Sequence, residues 1–148
     1  MSNAFVPIGT QFQIGDQHSA ETFVAVSEVN SISGLGWTRN MIETTTLDTT
    51  GGYCTWLPTF RDGDVITLNM NFTVANWDRF RDLFESQDEE ADSIDCRIVL
   101  KAGVTIKYTW EFTAFIQKVS LGDITVDDKV NQIIEVKITG APVETSGT

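Results

Sequence analysis

His18 is the only histidine in the chain of 148 residues, and so the only side chain whose ordinary pKa lies near neutrality. Nucleophilic hydrolysis needs such a base held against a Ser or Cys. His18 instead sits in the polar stretch Gly15-Asp16-Gln17-His18-Ser19, where nothing local positions it against a nucleophile. The acidic run Asp88, Glu89, Glu90, Asp92 and Asp95 supplies oxygen ligands for calcium. It lacks the D-x-[DN]-x-[DN]-G spacing and closing Glu of a calcium loop, so it reads as a solvated face. Glu111 and Glu135 could be drawn as a glycosidase pair, but each occupies an outward position in an alternating strand. Gly34-x-Gly36 runs into Trp37 and Thr38 with no helix after it, which is not a nucleotide-binding fingerprint. Cys54 and Cys96 have neither CxxC spacing nor a histidine nearby, so zinc and redox chemistry are not expected; a disulfide between them stays open. No catalytic, cofactor or metal site is expected, and the chain reads as a non-enzyme.

The elements that carry these residues follow from period. Residues 65–72 alternate Ile66, Leu68, Met70 and Phe72 with Thr67, Asn69 and Asn71, the mark of a half-buried strand. Residues 10–14 and 94–101 alternate in the same way, as do 106–112 and 134–138. Residues 23–32 read as one strand whose phase changes near Ser27, and 114–116 slip phase again, so a bulge or bend is expected at each. One helix is predicted, with Asn76 as its N-cap, Asp78 at the positive end of the dipole, and Trp77, Phe80, Leu83 and Phe84 as one buried stripe. Residues 121–126 are ambiguous, and the tail 142–148 is expected to be flexible. Several strands and one helix predict a mainly β fold, an antiparallel sandwich or barrel with the helix on its flank, spanning 1–148 as a single domain.

Between the strand ending near Ile32 and the one starting at Val65 lies a segment far longer than the roughly 2–5 residues of an ordinary hairpin loop. Its threonine-rich frame is punctuated by Trp37, Met41, Ile42, Leu47, Tyr53, Trp56, Leu57 and Phe60, with Arg39 and Arg61 near its ends. Apolar anchors in a polar frame resemble a subunit interface. Residues 39–61 are therefore expected to form an extended arm that reaches another copy.

Bulk composition narrows the partners. The chain carries 21 acidic and 10 basic residues, a net charge of −11. Phosphate binding draws on Lys and Arg, so general DNA binding is not expected. No stretch is apolar enough to span a membrane and no signal core opens the chain, which predicts a soluble intracellular product. A domain of this length buries about 68–70% of its unfolded surface and needs no staple.

The block ISGLGWTRNMIETTTLDTTGGYCTWLPTFRDGDVITLNMNFT, the helix NWDRFRDLFES and the closing EVKITGAPV together resemble the tail tube (major tail) proteins of long-tailed bacteriophages. The resemblance runs from about Phe23 to Val143, and IETTTLDTTG with LPTFRDGD is its most specific part. It implies a β-sandwich or barrel with a flanking helix, and assembly as hexameric rings stacked into a tube that conducts DNA during ejection. It also implies tape measure, tail terminator and baseplate or tail-tip proteins as partners, a place in the virion's tail, and synthesis in the host bacterial cytoplasm. Contact through the arm would then involve Trp37, Arg39, Met41, Ile42, Leu47, Tyr53, Trp56, Leu57, Phe60 and Arg61. The lumen is expected to be net negative, with Asp95, Glu111 and Glu135 as candidate lining residues. The tube protein of a bacterial contractile secretion system is the near alternative, and a monomeric ligand-binding β-barrel is the alternative from another class.

Overall fold

A computed structural model describes residues 4–15, 22–48, 50–89 and 92–147; His18 and Glu90 lie outside them. The strands are β1 (Gln11–Gly15), β2 (Phe23–Ala25), β3 (Val29–Ser33), β4 (Trp37–Glu43), β5 (Trp56–Gly63), β6 (Val65–Asn71), β7 (Ile94–Ala102), β8 (Thr105–Leu121) and β9 (Asn131–Ser146). The α-helix α1 spans Val74–Glu85, and Thr50–Gly52 forms a short 3-10 turn. Seven strands make one antiparallel sheet in the order β2-β1-β7-β8-β9-β6-β3, while β4 and β5 pair only with each other. Among the described residues, no helix is long and apolar enough to cross a membrane.

The phase change near Ser27 has a topological cause. Residues 23–32 are not one strand: β2 lies at one edge of the large sheet and β3 at the other. The chain crosses between the edges at residues 26–28, with Glu28 in the left-handed region (φ 61°). Val26, buried in the core, donates its N–H to the Phe12 carbonyl at 2.8 Å, and Asn71 donates to the Glu28 carbonyl at 3.0 Å. This crossing forces the sheet to curl until its edges approach, but no ladder joins β2 to β3. The result is a curled open sheet and not a closed barrel.

The concave face holds the core. Phe12 and Ile14, Ile66, Leu68 and Met70, Cys96 and Ile98, Phe112, Ala114 and Ile116, and Ile134, Val136 and Ile138 interdigitate there. These are the alternate residues of β1, β6, β7, β8 and β9, as the period-2 pattern requires. Helix α1 packs on β8 and seals this face with Phe80, which is fully buried.

The helix starts one turn earlier than Asn76 suggests. Thr73 is the N-cap, with extended φ/ψ, and its hydroxyl accepts the Asn76 N–H at 3.2 Å. Asn76 is buried instead, and its amide donates to the Ser27 carbonyl at 3.1 Å, tying helix to crossing. The predicted apolar stripe is narrower than expected. Phe80 and Leu83 face the core, Trp77 is half-buried with its ring 6.0 Å from Phe72, and Phe84 is 43% exposed. Phe84, four residues on from Phe80, shares that side of the helix but lies at its solvent margin. Beyond the helix, Gln87 clamps β8: its amide donates to the Ile116 carbonyl and accepts the Ile116 N–H at 2.8 Å. That pair satisfies backbone groups at the bulge between Ile116 and Lys118, close to the phase slip read at 114–116.

The C-terminal segment is more ordered than expected from its small polar residues. Residues 143–146 pair with 108–111 of β8, so the expected flexible tail is, through Ser146, the end of β9. Its register shifts between Glu111 and Thr113, where Gly140 (φ 78°) absorbs the bend.

Phe80→Ala should therefore cost about 3–5 kcal/mol of unfolding free energy. Phe84→Ala should cost about 1 kcal/mol, since much of its ring already meets water. Urea denaturation followed by circular dichroism measures both; equal losses would mean that the helix seats its last turn on the sheet.

Candidate functional site

The site begins at the root of the arm. Gly34 (φ 88°) turns the chain out of β3 so tightly that a Cβ there would lie 2.2 Å from the Val65 carbonyl oxygen. This is the structural use of the Gly34-x-Gly36 pattern. On the return, Gly63 is buried, and a Cβ there would lie 2.6 Å from that of Ile138. The Lys137 ammonium reaches across to the Asp62 carboxylate at 3.1 Å and also donates to the Gly63 carbonyl. A steric fit and a charge-assisted bond thus fix where the arm leaves β9.

The arm itself, β4 with β5, is a hairpin. Its register pairs Trp37 with Gly63, Thr38 with Asp62 and Arg39 with Arg61; after a bulge it pairs Met41 with Pro58, Ile42 with Leu57 and Glu43 with Trp56. The threonines hold the shape. Thr59 donates to the Asn40 carbonyl at the bulge (3.0 Å), the Thr44 N–H donates to the Thr55 carbonyl (2.8 Å), and Thr45 Oγ1 accepts the Thr55 N–H (2.8 Å).

All eight apolar residues named from the sequence are exposed, from 40% at Trp37 to complete exposure at Leu47. Arg39 and Arg61 are exposed as well. Alternation places Ile42 and Leu57 on one face of the hairpin and Met41 and Trp56 on the other. Apolar groups on both faces of an exposed hairpin exceed the scattered single residues that a monomer's surface tolerates.

Asp95, Glu111 and Glu135 share one surface, the convex face of the large sheet, each half-buried between residues that face the core. Arg97, Lys118 and Lys137 stand on the same face. Arg97 pairs with Glu111 at 3.3 Å, Lys118 lies opposite Glu135 in the β8–β9 register, and Lys137 is held by Asp62. Around them are Thr67, Asn69, Asn71, Thr113 and Thr139. The face sets these acids beside cations, and it also carries Val65, Phe115 and Ile133. Glu111 and Glu135 also lie far apart. Glu135 is opposite Lys118, seven positions along β8 from Glu111, or roughly 20 Å at about 3.3 Å per residue. Catalytic glycosidase pairs stand about 5–9.5 Å apart.

The remaining candidates are structural in position. Asp92 Oδ2 accepts the N–H groups of Asp88 and Glu89, each at 2.9 Å, so this carboxylate is engaged by the backbone. Among the described residues no three His, Cys, Asp or Glu side chains converge as a metal-binding group. Cys96 is buried in the core and Cys54 exposed on the arm, and no disulfide joins them.

Two apolar surfaces escape a reading based on period. At one end of the sheet the β7–β8 turn exposes Val104, beside exposed Ile8, whose carbonyl accepts the Gly103 N–H. At the other end the β8–β9 loop exposes Ile124 and Val126. Neither lies in a periodic segment; bulky aliphatics inside loops were the available signal. Next to the first end, Glu144 accepts from the Tyr108 hydroxyl (3.3 Å) and the Trp110 indole (3.1 Å). Partial desolvation, then the charge and hydrogen bond of Glu144, raise the Tyr108 phenol above its ordinary pKa of 10.0, so it stays a donor. An open cleft of about 570 Å³ lies where the sheet edges fail to meet, between Val29, Ile32 and Leu35 on one side and Thr10, Ile98 and Leu100 on the other.

No protein-family model and no curated protein matches the chain. Solved structures do. A chain of the PVC sheath–tube complex, from an extracellular contractile injection system in its extended state, superposes with a TM-score of 0.72 at 20% identity, covering 99% of this chain and 94% of that one. A chain from the tail of an empty GTA particle with C6 symmetry gives 0.70 at 13% identity, covering 92% and 95%. The SPP1 tail tube gives 0.62 at 13%, covering 93% and 76%. At such identities the likeness establishes the architecture: this chain has the fold found in phage tail tubes and in contractile injection systems.

Proposed function

We propose that this chain is the repeating structural subunit of a phage tail tube, closing into hexameric rings that stack around a lumen through which DNA passes. The observation that carries the reading is the arm, whose apolar side chains are exposed on both faces of a hairpin rooted rigidly in β9. An isolated two-stranded hairpin is marginal in water; covering both faces by neighbouring copies removes that liability. The fold's occurrence in tail and injection-system chains supports the same reading. Interface contacts are assigned to Trp37, Met41, Ile42, Leu47, Tyr53, Trp56, Leu57 and Phe60, with Arg39 and Arg61. The two apolar ends, Ile8 with Val104 and Ile124 with Val126, are suited to stacking ring on ring. Terminator, tape measure and baseplate or tail-tip proteins would meet the same surfaces where the stack begins and stops, which places the assembled chain in a virion tail. No catalytic role is assigned.

Asp95, Glu111 and Glu135 are assigned to the lumen together with the whole convex face, since the helix covers the other side of the sheet. DNA passage then rests on neutralised cations, because Arg97 and Lys137 are already paired within the chain. Phosphate neutralisation gains little from a cation whose charge is spent.

Purified chain should form rings or tubes in negative-stain images as concentration rises. Replacing residues 40–60 by a short Gly-Ser turn should abolish assembly and leave β-rich circular dichroism, because the arm lends no side chain to the core. A chain that stays monomeric through the high micromolar range at every salt concentration refutes the subunit reading; collapse of the shortened chain would refute the separation of arm from core.

Assembled tubes should give no gel shift with duplex DNA at physiological salt. Glu111→Gln should release Arg97 and produce salt-sensitive retention, the log–log salt slope steepening by about 0.9 for each phosphate engaged. Tight DNA binding by the unaltered tube would overturn the assignment of this face to the lumen.

A further inference from the structure

We propose that Arg39 and Arg61 form a two-guanidinium clamp that binds a carboxylate on the acidic surface of a second copy of this chain. The inference rests on the tube-subunit reading and names what the root of the arm recognises.

The two arginines are direct cross-strand partners, at the last regular pair before the bulge in β4–β5. Like charges placed directly opposite each other on a sheet destabilise it. Both side chains are exposed, and among the described residues neither takes part in an ion pair. The nearby carboxylates have other work. Asp62 is held by Lys137 at 3.1 Å, and Glu144, which lines the same groove as Arg61, accepts from Tyr108 and Trp110. A planar guanidinium presents a fork of donors matched to a carboxylate, and two forks side by side can take both oxygens of one group.

Charge complementarity selects the occupant. The chain carries a net charge of −11, so a second copy presents carboxylates in excess. One acidic stretch runs through α1 and the residues after it. Asp78 and Asp82 lie against Arg81 at 3.2 and 3.8 Å, and Asp92 accepts two backbone N–H groups. Glu85, Asp88 and Glu89 enter no ion pair among the described residues. The clamp is flanked by exposed Trp37, Met41 and Phe60. Aromatic residues, Met and Arg together are the composition of a protein interface, whereas a phosphate-binding surface would cluster further cations where this arm carries Glu43, Asp48 and Asp62.

Two variants and one cross-link test the clamp. R39E/R61E should raise the concentration needed for assembly at least tenfold, with the monomer's circular dichroism unchanged. R39K/R61K keeps the charge but loses the fork, and should assemble at a concentration between those of the unaltered chain and R39E/R61E. Carbodiimide treatment of assembled R39K/R61K, made from mixed isotope-labelled and unlabelled chains, should join position 39 or 61 to an Asp or Glu of a different copy. Assembly of R39E/R61E at the unaltered concentration overturns the clamp, as do cross-links confined to single chains. Retention of duplex DNA by the unaltered chain that R39E/R61E abolishes, with assembly unchanged, would identify phosphate as the ligand and also overturn it. Failure of the unaltered chain to assemble at all would overturn the tube reading itself, a result distinct from either.

Discussion

A two-stranded hairpin has no inside. Whichever way its side chains point, they meet solvent or another molecule, and β4–β5 points large apolar groups both ways. Much else in the structure makes sense as support for holding that hairpin out. Gly63 lets β5 touch Ile138 closely enough that no side chain fits between them. Lys137 then pins the same point by charge, and Gly34 sends the chain outward on the other strand. An arm on a loose tether would lose most of its reach to conformational entropy on binding. A fixed root removes part of that cost before a neighbour arrives.

The main sheet solves the complementary problem of making a complete core without the arm. Its curl comes from one crossing, at residues 26–28, that carries the chain from one edge of the sheet to the other. Alternating strands supply a concave apolar surface, and Phe80 closes it. Core and arm are thereby separate sets of residues. The convex face is left uncovered by the helix, and its charges face one another across strands: Arg97 with Glu111, and exposed Lys118 opposite Glu135.

How far the sequence disclosed this depended on whether a signal was local. Period 2 located β1, β6, β7 and most of β8 and β9, because burial on one face constrains every second residue. The arm was legible for the opposite reason: too many large apolar groups stood in a segment with no period to bury them. Phe84 was misplaced because helical period shows which residues share a face and not how far the opposing sheet extends. Asn76 was mistaken for the cap because Thr73 offers the same chemistry three residues earlier, and only the tertiary bond to Ser27 distinguishes them. The end of β9 carries Gly140 and Pro142, which read as a tail; the bulge that accommodates them is set by β8. A net −11 says nothing about which face carries the charge; on the convex face Glu111 pairs with Arg97 and Glu135 stands opposite Lys118.

In the proposed assembly, the two ends of the sheet bear on how copies stack. Ile8 and Val104 lie at one end, Ile124 and Val126 at the other, and the acidic group Asp123, Asp127 and Asp128 belongs only to the second. Surfaces that differ in sequence and charge do not make self-complementary, two-fold contacts, which close after a single pairing. Contact between unlike ends is heterologous and leaves a fresh end exposed at each addition. In the proposed ring the arm contact would be heterologous in the same sense, with an apolar hairpin on one copy against a different surface on the next. If the rotation between copies closes, the arm contact makes a ring; the end-to-end contact then makes a stack with one direction. A polar tube is thus what this chain's asymmetry favours, with its length left to whatever binds the last exposed end.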